Sequence, residues 1–169
     1  MTDVRTARLH LHAIDRAEAE RIVTRRAGPA DVWADDFPFD GDIAAVGAFM
    51  GATGSARKQR FGYYRITRLA DGLAVRGIGS KGQPHDGCVE IGYGLAPSAR
   101  GHGYAAEALI AMLAMGFGHG LSRAIADTTP ANIASQQTLI RAGFRLVGAD
   151  PEHCSYEVLR NGRTVMKAE

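Results

Sequence analysis

Residues 89–120, VEIGYGLAPSARGHGYAAEALIAMLAMGFGHG, decide the fold and raise the first question about function. Gly92 and Gly94 interrupt an apolar, strand-like run, and Gly101 and Gly103 stand directly before a long amphipathic helical pattern. A glycine inside a regular element costs about 0.5–1 kcal/mol relative to alanine. Four glycines so close together therefore indicate that another group must approach the backbone.

Length and composition limit the classes of protein to which the chain can belong. Its 169 residues, 46% of them hydrophobic, predict one domain over residues 1–169 with an ample core. A net charge of +2 argues against a nucleic-acid partner. The chain has no signal-like or membrane-spanning stretch, and Cys88 and Cys154 form no disulfide framework. We therefore expect a cytoplasmic protein with no membrane partner.

Periodicity along the chain predicts the element order β-α-α-β-β-β-α-β-α-β-β. Strands and helices alternate only in the second half, which favours a mixed sheet in a layered α/β domain over a wholly parallel sheet. In the first strand, His10 and His12 share one face. No third ligand of a suitable type is nearby in the sequence, so we predict no metal site.

The glycines before the helix allow a dinucleotide-binding interpretation. Gly101, Gly103 and Ala106 nearly fit the Gly-x-Gly-x-x-Gly/Ala fingerprint, and Asp127 ends the next apolar strand about 20 residues later. However, the segment APSAR separates the preceding strand from the first glycine, and little chain follows Asp127. A dinucleotide-binding oxidoreductase is thus the weaker alternative, and a Walker loop is excluded because no Gly-Lys-Ser/Thr follows.

A second interpretation of the same segment is Arg100-x-x-Gly103-x-Ala105 at the start of a helix. Consecutive backbone N–H groups, bent by glycine into a concave nest at the positive end of a helix, bind a pyrophosphate. Side chains would obstruct such a nest, whereas glycine leaves it open. This interpretation explains why glycine is placed at the start of the helix.

Four motifs occur in order along the chain: TARLHL, VEIGYGLAP, ARGHGYAAEAL and TTPANIASQQTLIRAGF. Together they make it resemble the GNAT superfamily of acetyl-CoA-dependent N-acetyltransferases, and within it the RimJ/RimL-like ribosomal-protein acetyltransferases. The resemblance implies an α/β fold with a mixed, mostly antiparallel central sheet, a splayed parallel strand pair, and helices on both faces. It also implies acetyl transfer from acetyl-CoA to a primary amine of a protein N-terminus, an amino acid or another small amine, by direct attack on the thioester. A homodimer is the one assembly that we keep open.

The resemblance also implies where acetyl-CoA binds. Its pantetheine arm would lie along the strand GYGL, where an N–H near Gly94 or Leu95 would hold the oxyanion. Gly92 and Gly94 share a face with Glu90, which leaves room for thioester and amine to meet; a β-bulge or a tight packing contact is the structural alternative. The implied cofactor-binding residues are Gly94, Leu95, Arg100, Gly101, His102, Gly103, Tyr104, Ala105, Asn132 and Ser135.

Two residues are the candidates for catalysis. An amine has a pKa of roughly 8 to 10, so a base that removes its proton helps, and many RimL-like enzymes carry a glutamate at the position of Glu90. Many GNAT enzymes use a tyrosine seven residues after the motif asparagine as the general acid for the leaving thiolate. Here the asparagine is Asn132, and the position seven residues later is Leu139. Ser135 lies one helical turn after Asn132, and either protonates the leaving sulfur or only contacts the cofactor.

The acceptor is the least determined part of the prediction. In the family, the first two helices border the acceptor, so the loop DVWADDFPFDGD could present carboxylates to a cationic amine beside an apolar wall of Trp33, Phe37 and Phe39. Solvated aspartates that cap a helix are the alternative. A CoA-binding module without catalysis is the second functional class.

Overall fold

The computed structural model describes residues 2–52, 61–94 and 100–160, which form eight strands and four helices. The strands are β1 (Val4–Arg5), β2 (Leu9–Ala13), β3 (Tyr63–Arg68), β4 (Ala74–Ser80), β5 (Cys88–Tyr93), β6 (Arg123–Thr128), β7 (Arg145–Ala149) and β8 (Cys154–Leu159). The helices are α1 (Arg16–Thr24), α2 (Asp40–Ala52), α3 (Tyr104–Gly118) and α4 (Ile133–Arg141). The predicted order is confirmed, with the two-residue β1 as one addition.

All eight strands belong to one sheet in the order β1-β2-β3-β4-β5-β6-β8-β7. Neighbouring strands pair antiparallel except β5 and β6, which are parallel. The crossover between these two strands is α3, because parallel neighbours need a long connection whereas antiparallel neighbours can be joined by short turns. The prediction of a mixed, mostly antiparallel sheet is therefore confirmed.

The two parallel strands part in the middle of the sheet. Pairing between β5 and β6 begins at Cys88 and Arg123 and stops at Glu90 and Ile125. Beyond that point β5 continues to pair with β4 as far as Tyr93, and β6 continues to pair with β8 to the end of both strands. The predicted splayed pair is thus present, and residues 91–93 of β5 have no strand partner on the side of β6 among the described residues.

Helices cover both faces of the sheet, as predicted. Consecutive strand residues point to opposite faces, and Tyr64 and Tyr63 accordingly belong to two different hydrophobic clusters. Tyr64 packs in the larger cluster, which contains residues of α3 and α4 such as Leu109 and Leu139. Tyr63 packs in the smaller cluster with residues of α1 and α2, including Val46.

Polar side chains fix where α1 and α4 begin. Asp15 accepts a hydrogen bond from the N–H of Glu18 at 2.8 Å, and Asn132 accepts one from the N–H of Ser135 at 3.2 Å. Each bond satisfies one of the N–H groups that the first turn of a helix leaves without an internal partner. The caps therefore set the position of Ser135 at the start of α4.

Tyr63 makes Gly77 indispensable for packing, and the effect of replacing that glycine can be measured. A methyl group at Gly77 would overlap the hydroxyl of Tyr63, which is buried and donates a hydrogen bond to Asp42 at 2.7 Å. We expect Gly77→Ala to lower the free energy of unfolding by about 1–3 kcal/mol, because Tyr63 cannot move without breaking that bond. Thermal unfolding should show a Tm lower by several degrees.

Gly148→Ala is the matched control for Gly77→Ala. Gly148 lies in β7, and nothing is within 4 Å of the position of an added methyl group. We expect its Tm to stay close to that of the wild type. Equal stability of the two variants would contradict the packing argument.

Candidate active site

Residues 100–105 form a turn and the first residues of α3, as the glycine pattern predicts. Gly101 and Gly103 have φ angles of 80° and 76°, in the left-handed region that side chains disfavour. Gly103 is the N-cap of α3, and no side chain of the described residues caps the helix there. The N–H groups of Tyr104 and Ala105 thus have no intrahelical partner, which is the arrangement that binds an anion.

Two residues far apart in sequence hold this glycine turn, and the sequence analysis missed both. The Arg8 side chain donates to the Glu107 carboxylate at 2.7 Å and to the carbonyl of His102 at 2.8 Å. Burial raises the pKa of Glu107, but hydrogen bonds from Thr6 and Arg8 outweigh it and lower that pKa overall. The His102 ring stacks on Tyr104, with ring centroids 5.4 Å apart. An acidic residue in a first helical turn is too common to predict such a contact.

Ser135 lies where the parted strands face α4, and its partner was also missed. The Tyr93 hydroxyl lies 2.8 Å from Oγ and 3.1 Å from the carbonyl oxygen of Ser135, and its one proton can be donated to either. Burial raises the pKa of Tyr93, so its phenol stays protonated. Asn132 caps α4, which agrees with one of its two predicted roles. Leu139, at the position of the family's tyrosine, is fully buried.

Glu90 lies on the opposite face of β5 from Tyr93, because three residues separate them along the strand. Its carboxylate forms an ion pair with Lys81 and is 28% exposed. Gly92 shares the face of Glu90, since a methyl group there would lie 3.3 Å from the Lys81 side chain. Glu90 and Ser135 therefore approach the parted strands from opposite sides, and no hydrogen bond joins them among the described residues.

A cavity of about 630 Å³ lies on the α2 side of the sheet, between α2 and strands β3, β4 and β5. Phe49 and Phe61 contribute apolar walls, and Asp42 and Arg76 contribute charge. Residues 92–94 also line it, and they begin just beyond the last pair of β5 with β6. The cavity thus reaches the strand along which the pantetheine arm is expected.

Gly94 makes room for a side chain of the protein itself. A methyl group at this position would overlap Nη2 of Arg76, and the Gly94 N–H donates to the Gly77 carbonyl at 3.2 Å. The N–H of Gly94 is therefore used within the sheet. It is not available to hold the oxyanion, for which an N–H near Gly94 or Leu95 was predicted. Leu95 lies outside the described residues. Arg100, Gly101, Tyr104, Ala105 and Asn132 lie at or beside helix starts, as predicted.

Two aspartates of the acidic loop before α2 are paired with arginines, whereas Asp35 is exposed. Asp31 accepts a hydrogen bond from Arg21 at 2.6 Å, and Asp40 forms an ion pair with Arg25. Trp33 and Phe37 pack edge to face against each other, with ring centroids 5.3 Å apart, and belong to the smaller cluster. These residues serve the fold more directly than they serve recognition.

The expectation that no third ligand lies near His10 and His12 is wrong. Nε2 of His10 and Nδ1 of His12 are each 2.9 Å from Oδ2 of Asp3. Asp3 immediately precedes β1, which pairs antiparallel with β2 and so carries the aspartate to the two rings. The sequence analysis missed this strand because two residues are too short to show a period.

No helix of the described ranges is long and apolar enough to cross a membrane.

Comparison with known proteins identifies the class of this fold and site. Residues 8–145 match the Acetyltransferase (GNAT) domain family, so the chain belongs to that family. It is an acetyl-CoA-dependent N-acetyltransferase, with acetyl-CoA as cosubstrate. The dinucleotide alternative is not favoured, and a search of curated proteins gives no significant match.

Solved structures agree with this assignment at the level of the fold. RimL, a ribosomal L7/L12 alpha-N-protein acetyltransferase solved with coenzyme A, is 17% identical, with a TM-score of 0.70 and coverage of 96% of this chain and 100% of its own. RimJ of Mycobacterium smegmatis is 24% identical, with a TM-score of 0.64 and coverage of 90% and 82%. An acetyltransferase of Agrobacterium tumefaciens is 23% identical, with a TM-score of 0.65 and coverage of 95% of both chains.

The Asp3 cluster makes stability depend on pH. Burial acts to raise the pKa of Asp3, but hydrogen bonds from His12, the Ala13 N–H and His10 outweigh it and lower the pKa to about 2. The folded-state pKa lies below the ordinary value of 3.8, so the carboxylate stabilises the fold above about pH 4 and loses this effect as pH falls towards 2. In urea unfolding, Asp3→Asn should be less stable than wild type at pH 7, with a gap that narrows below pH 4.

Asp86→Asn is the control for Asp3→Asn, because the side chain of Asp86 is 89% exposed. We expect its unfolding curve to follow that of the wild type at every pH. A stability gap for Asp3→Asn that stays constant from pH 7 to pH 3 would contradict the assigned role.

Proposed function

We propose that the chain acetylates a primary amine bound in the cavity between α2 and strands β3, β4 and β5. The observation that carries this proposal is the parting of β5 and β6 beyond Glu90 and Ile125. Within the described ranges, residues 91–93 have no strand partner on the side of β6, and Gly92 and Tyr93 also line the cavity. A thioester lying along that edge would meet an amine in the cavity.

The glycine turn is the proposed site of the cofactor's pyrophosphate. Gly101 and Gly103 give the turn a backbone that presents N–H groups at the positive end of α3. Arg100 is exposed beside them and would place a cation near the phosphates. Arg8, which contacts both Glu107 and the His102 carbonyl, holds the turn in place, so the nest is formed before the ligand arrives.

Glu90 is the proposed acceptor of the proton from the amine. As the acetyl group is transferred, the C–N bond forms, the C–S bond breaks, the amine gives up a proton and the sulfur gains one. Glu90 is half-buried on the α2 face of β5, the same face as Gly92, which lines the cavity; Glu90 itself lines a neighbouring pocket with Arg123 and Ile125. Its ion pair with Lys81 means that the amine must replace Lys81, or that a water must carry the proton.

Ser135 is the proposed contact for the leaving sulfur, and Tyr93 supports it from β5. The Tyr93 hydroxyl can donate to Oγ of Ser135, which leaves the serine O–H to point at the sulfur. A thiol has a pKa of about 8.5, so a hydrogen bond rather than full protonation is enough to help it leave. The Tyr93 hydroxyl of β5 would thus take the part of the tyrosine that many GNAT enzymes carry at the position of Leu139.

The proposal has three further parts. The chain belongs to the RimJ/RimL-like branch, residues 1–169 form a single unit, and the protein is cytoplasmic. RimJ and RimL structures are among those with a similar fold, and this supports the branch. Cys88 and Cys154 are free cysteines, which suits a reducing compartment.

The glycine turn can be tested by binding alone. Gly103→Val should weaken CoA binding by about tenfold or more, because a branched side chain both fills the nest and disfavours a φ of 76°. CoA at 100 times its dissociation constant should stabilise the wild type by about 2.7 kcal/mol, and the variant should lose most of this rise in Tm. NAD should have no effect on either protein.

Gly120→Val controls for the backbone strain in Gly103→Val. Gly120 has a φ of 96° after the end of α3, with open space around it. We expect this variant to be destabilised but to keep the affinity for CoA. A folded Gly103→Val protein with wild-type CoA affinity would refute the placement of the pyrophosphate.

The chemistry can be tested by the release of CoA thiol across a panel of amines. Glu90→Gln should keep CoA affinity but lose roughly 10²–10⁴-fold in turnover, and the loss should shrink as pH rises and the amine deprotonates unaided. Ser135→Ala should be slowed without this rescue, because its proposed contact is with sulfur.

Glu20→Gln, on the exposed side of α1, is the control for a lost carboxylate. Wild-type turnover in Glu90→Gln at neutral pH would remove Glu90 from the mechanism. If wild-type protein binds CoA but no amine in the panel releases thiol, the protein is a CoA-binding module instead.

A further inference from the structure

Arg76 is a buried cation, and two of its three donor nitrogens have no hydrogen-bond partner among the described residues. Its side chain is 12% exposed, and neither Nε nor Nη1 has a hydrogen-bond partner among the described residues. Both nitrogens are fully shielded from solvent. Buried polar groups are nearly always hydrogen-bonded, and leaving donors of a charged group unsatisfied is costly. Arg76 lines the cavity, so a bound molecule that displaces the groups now covering Nε and Nη1 can supply the missing acceptors.

Asp42 balances the charge of Arg76 without satisfying its donors. Its Oδ2 is 3.4 Å from Nε of Arg76 but accepts its hydrogen bond from the Phe39 N–H at 2.9 Å. Its Oδ1 accepts from the Tyr63 hydroxyl at 2.7 Å. Burial is the main cause that holds the pKa of Tyr63 well above its ordinary value, so this donor persists. Each Asp42 oxygen therefore accepts a hydrogen bond from another group, and neither accepts one from Nε or Nη1 of Arg76.

Neighbouring groups hold the Arg76 fork in place. The guanidinium lies 4.9 Å from the centroid of the Phe39 ring, and Nη2 fills the space that Gly94 leaves by having no side chain. Stacking on an aromatic ring and contact with a strand backbone restrict the planar group, so little entropy is lost when it binds. Gly94 also ends the described part of the strand beside which the thioester is expected.

The remaining lining of the cavity selects against a polycation. Phe49, Phe61 and several glycines make most of the wall apolar. Lys81 is the second cation at the lining, and it is paired with Glu90. A polyamine or an aminoglycoside would bring two or more positive charges to a wall that already carries Arg76 and Lys81. Asp42 is the only acidic residue among the described lining residues, and its charge is already paired with that of Arg76.

We propose that Arg76 binds a carboxylate of the acceptor, so that the acceptor is a small amine bearing a carboxylate a few bonds from its nitrogen, as in a free amino acid. The planar guanidinium fork matches a carboxylate in two parallel hydrogen bonds. Because Arg76 touches Gly94, the carboxylate would lie next to the strand end where the amine must attack. This inference rests on the proposed function and specifies its acceptor.

The first test compares acceptors on the wild-type protein. Leucine and phenylalanine are each paired with their amide and with the amine that lacks the carboxyl group, and kcat/KM is measured by thiol release. Values are compared per concentration of unprotonated amine, since a carboxylate raises the pKa of a nearby amine. We expect the free acids to exceed both analogues by about 10- to 100-fold. Amides or simple amines that react as well as the acids would overturn the inference.

A second readout needs no turnover. In the presence of CoA, N-acetyl-leucine should raise the Tm more than N-acetyl-leucinamide does. If N-acetyl-leucine raises the Tm more than its amide does but no amine is acetylated, the carboxylate site is supported and the proposed function is contradicted. Equal effects of acid and amide would show that only water satisfies Arg76, and would overturn the inference.

Variants assign the effect to Arg76. Arg76→Gln should bring the ratio of acid to amide close to 1, and Arg76→Lys should keep part of it, because charge remains but the fork is lost. Arg16→Gln, whose side chain is 77% exposed on α1, should leave the ratio unchanged. A folded Arg76→Gln protein that keeps the wild-type ratio would overturn the inference. If Arg76→Gln does not fold, the wild-type comparison and the Tm readout decide.

Discussion

The parting of β5 and β6 is the constraint on which the site depends. Each strand keeps its other neighbour, β4 for β5 and β8 for β6, so both strands stay in the sheet where they no longer pair with each other. The inner edge cannot close, because Tyr93 spans from β5 to Ser135 at the start of α4. A backbone edge inside a sheet is normally paired, and an unpaired one is a template for an extended ligand. The sheet thus provides a site without giving up its continuity.

The fold follows from the sequence where the pattern is local. Alternation predicted the strands, and the apolar stripe and glycine turn predicted α3 beginning at Tyr104. The splayed pair followed from the family resemblance. β1 was missed because Val4 and Arg5 are too few to show a period, yet its pairing carries Asp3 to His10 and His12. A contact of this kind depends on register between strands, which no single segment encodes.

At the glycines of the central strands, the sequence predicts that space is needed but not which group fills it. Close approach to the backbone was predicted at Gly92 and Gly94, with the cofactor as the approaching group and a β-bulge or a tight packing contact as the alternative. At Gly77 and Gly94 the groups observed are the Tyr63 hydroxyl and the Arg76 guanidinium. These contacts join residues on neighbouring strands, so the sequence indicates a need for space but not its occupant. The same limit explains why Arg8 and Glu107, 99 residues apart, were missed beneath the glycine turn.

Asp42, Tyr63 and Arg76 show why a buried charge can be kept on the acceptor side. Removing an arginine from water is costly unless an opposite charge lies near, and Asp42 at 3.4 Å supplies one in the free protein. If Asp42 took the hydrogen bonds of Arg76 as well, the pair would be complete and would bind nothing further. Tyr63 and the Phe39 N–H hold the aspartate in an orientation that balances the charge of Arg76 while Nε and Nη1 stay without hydrogen bonds. Asp42 thus neutralises the charge of Arg76 without satisfying its hydrogen-bond donors. A mostly apolar cavity can therefore hold the cation in the free protein, and the donors are left for a ligand.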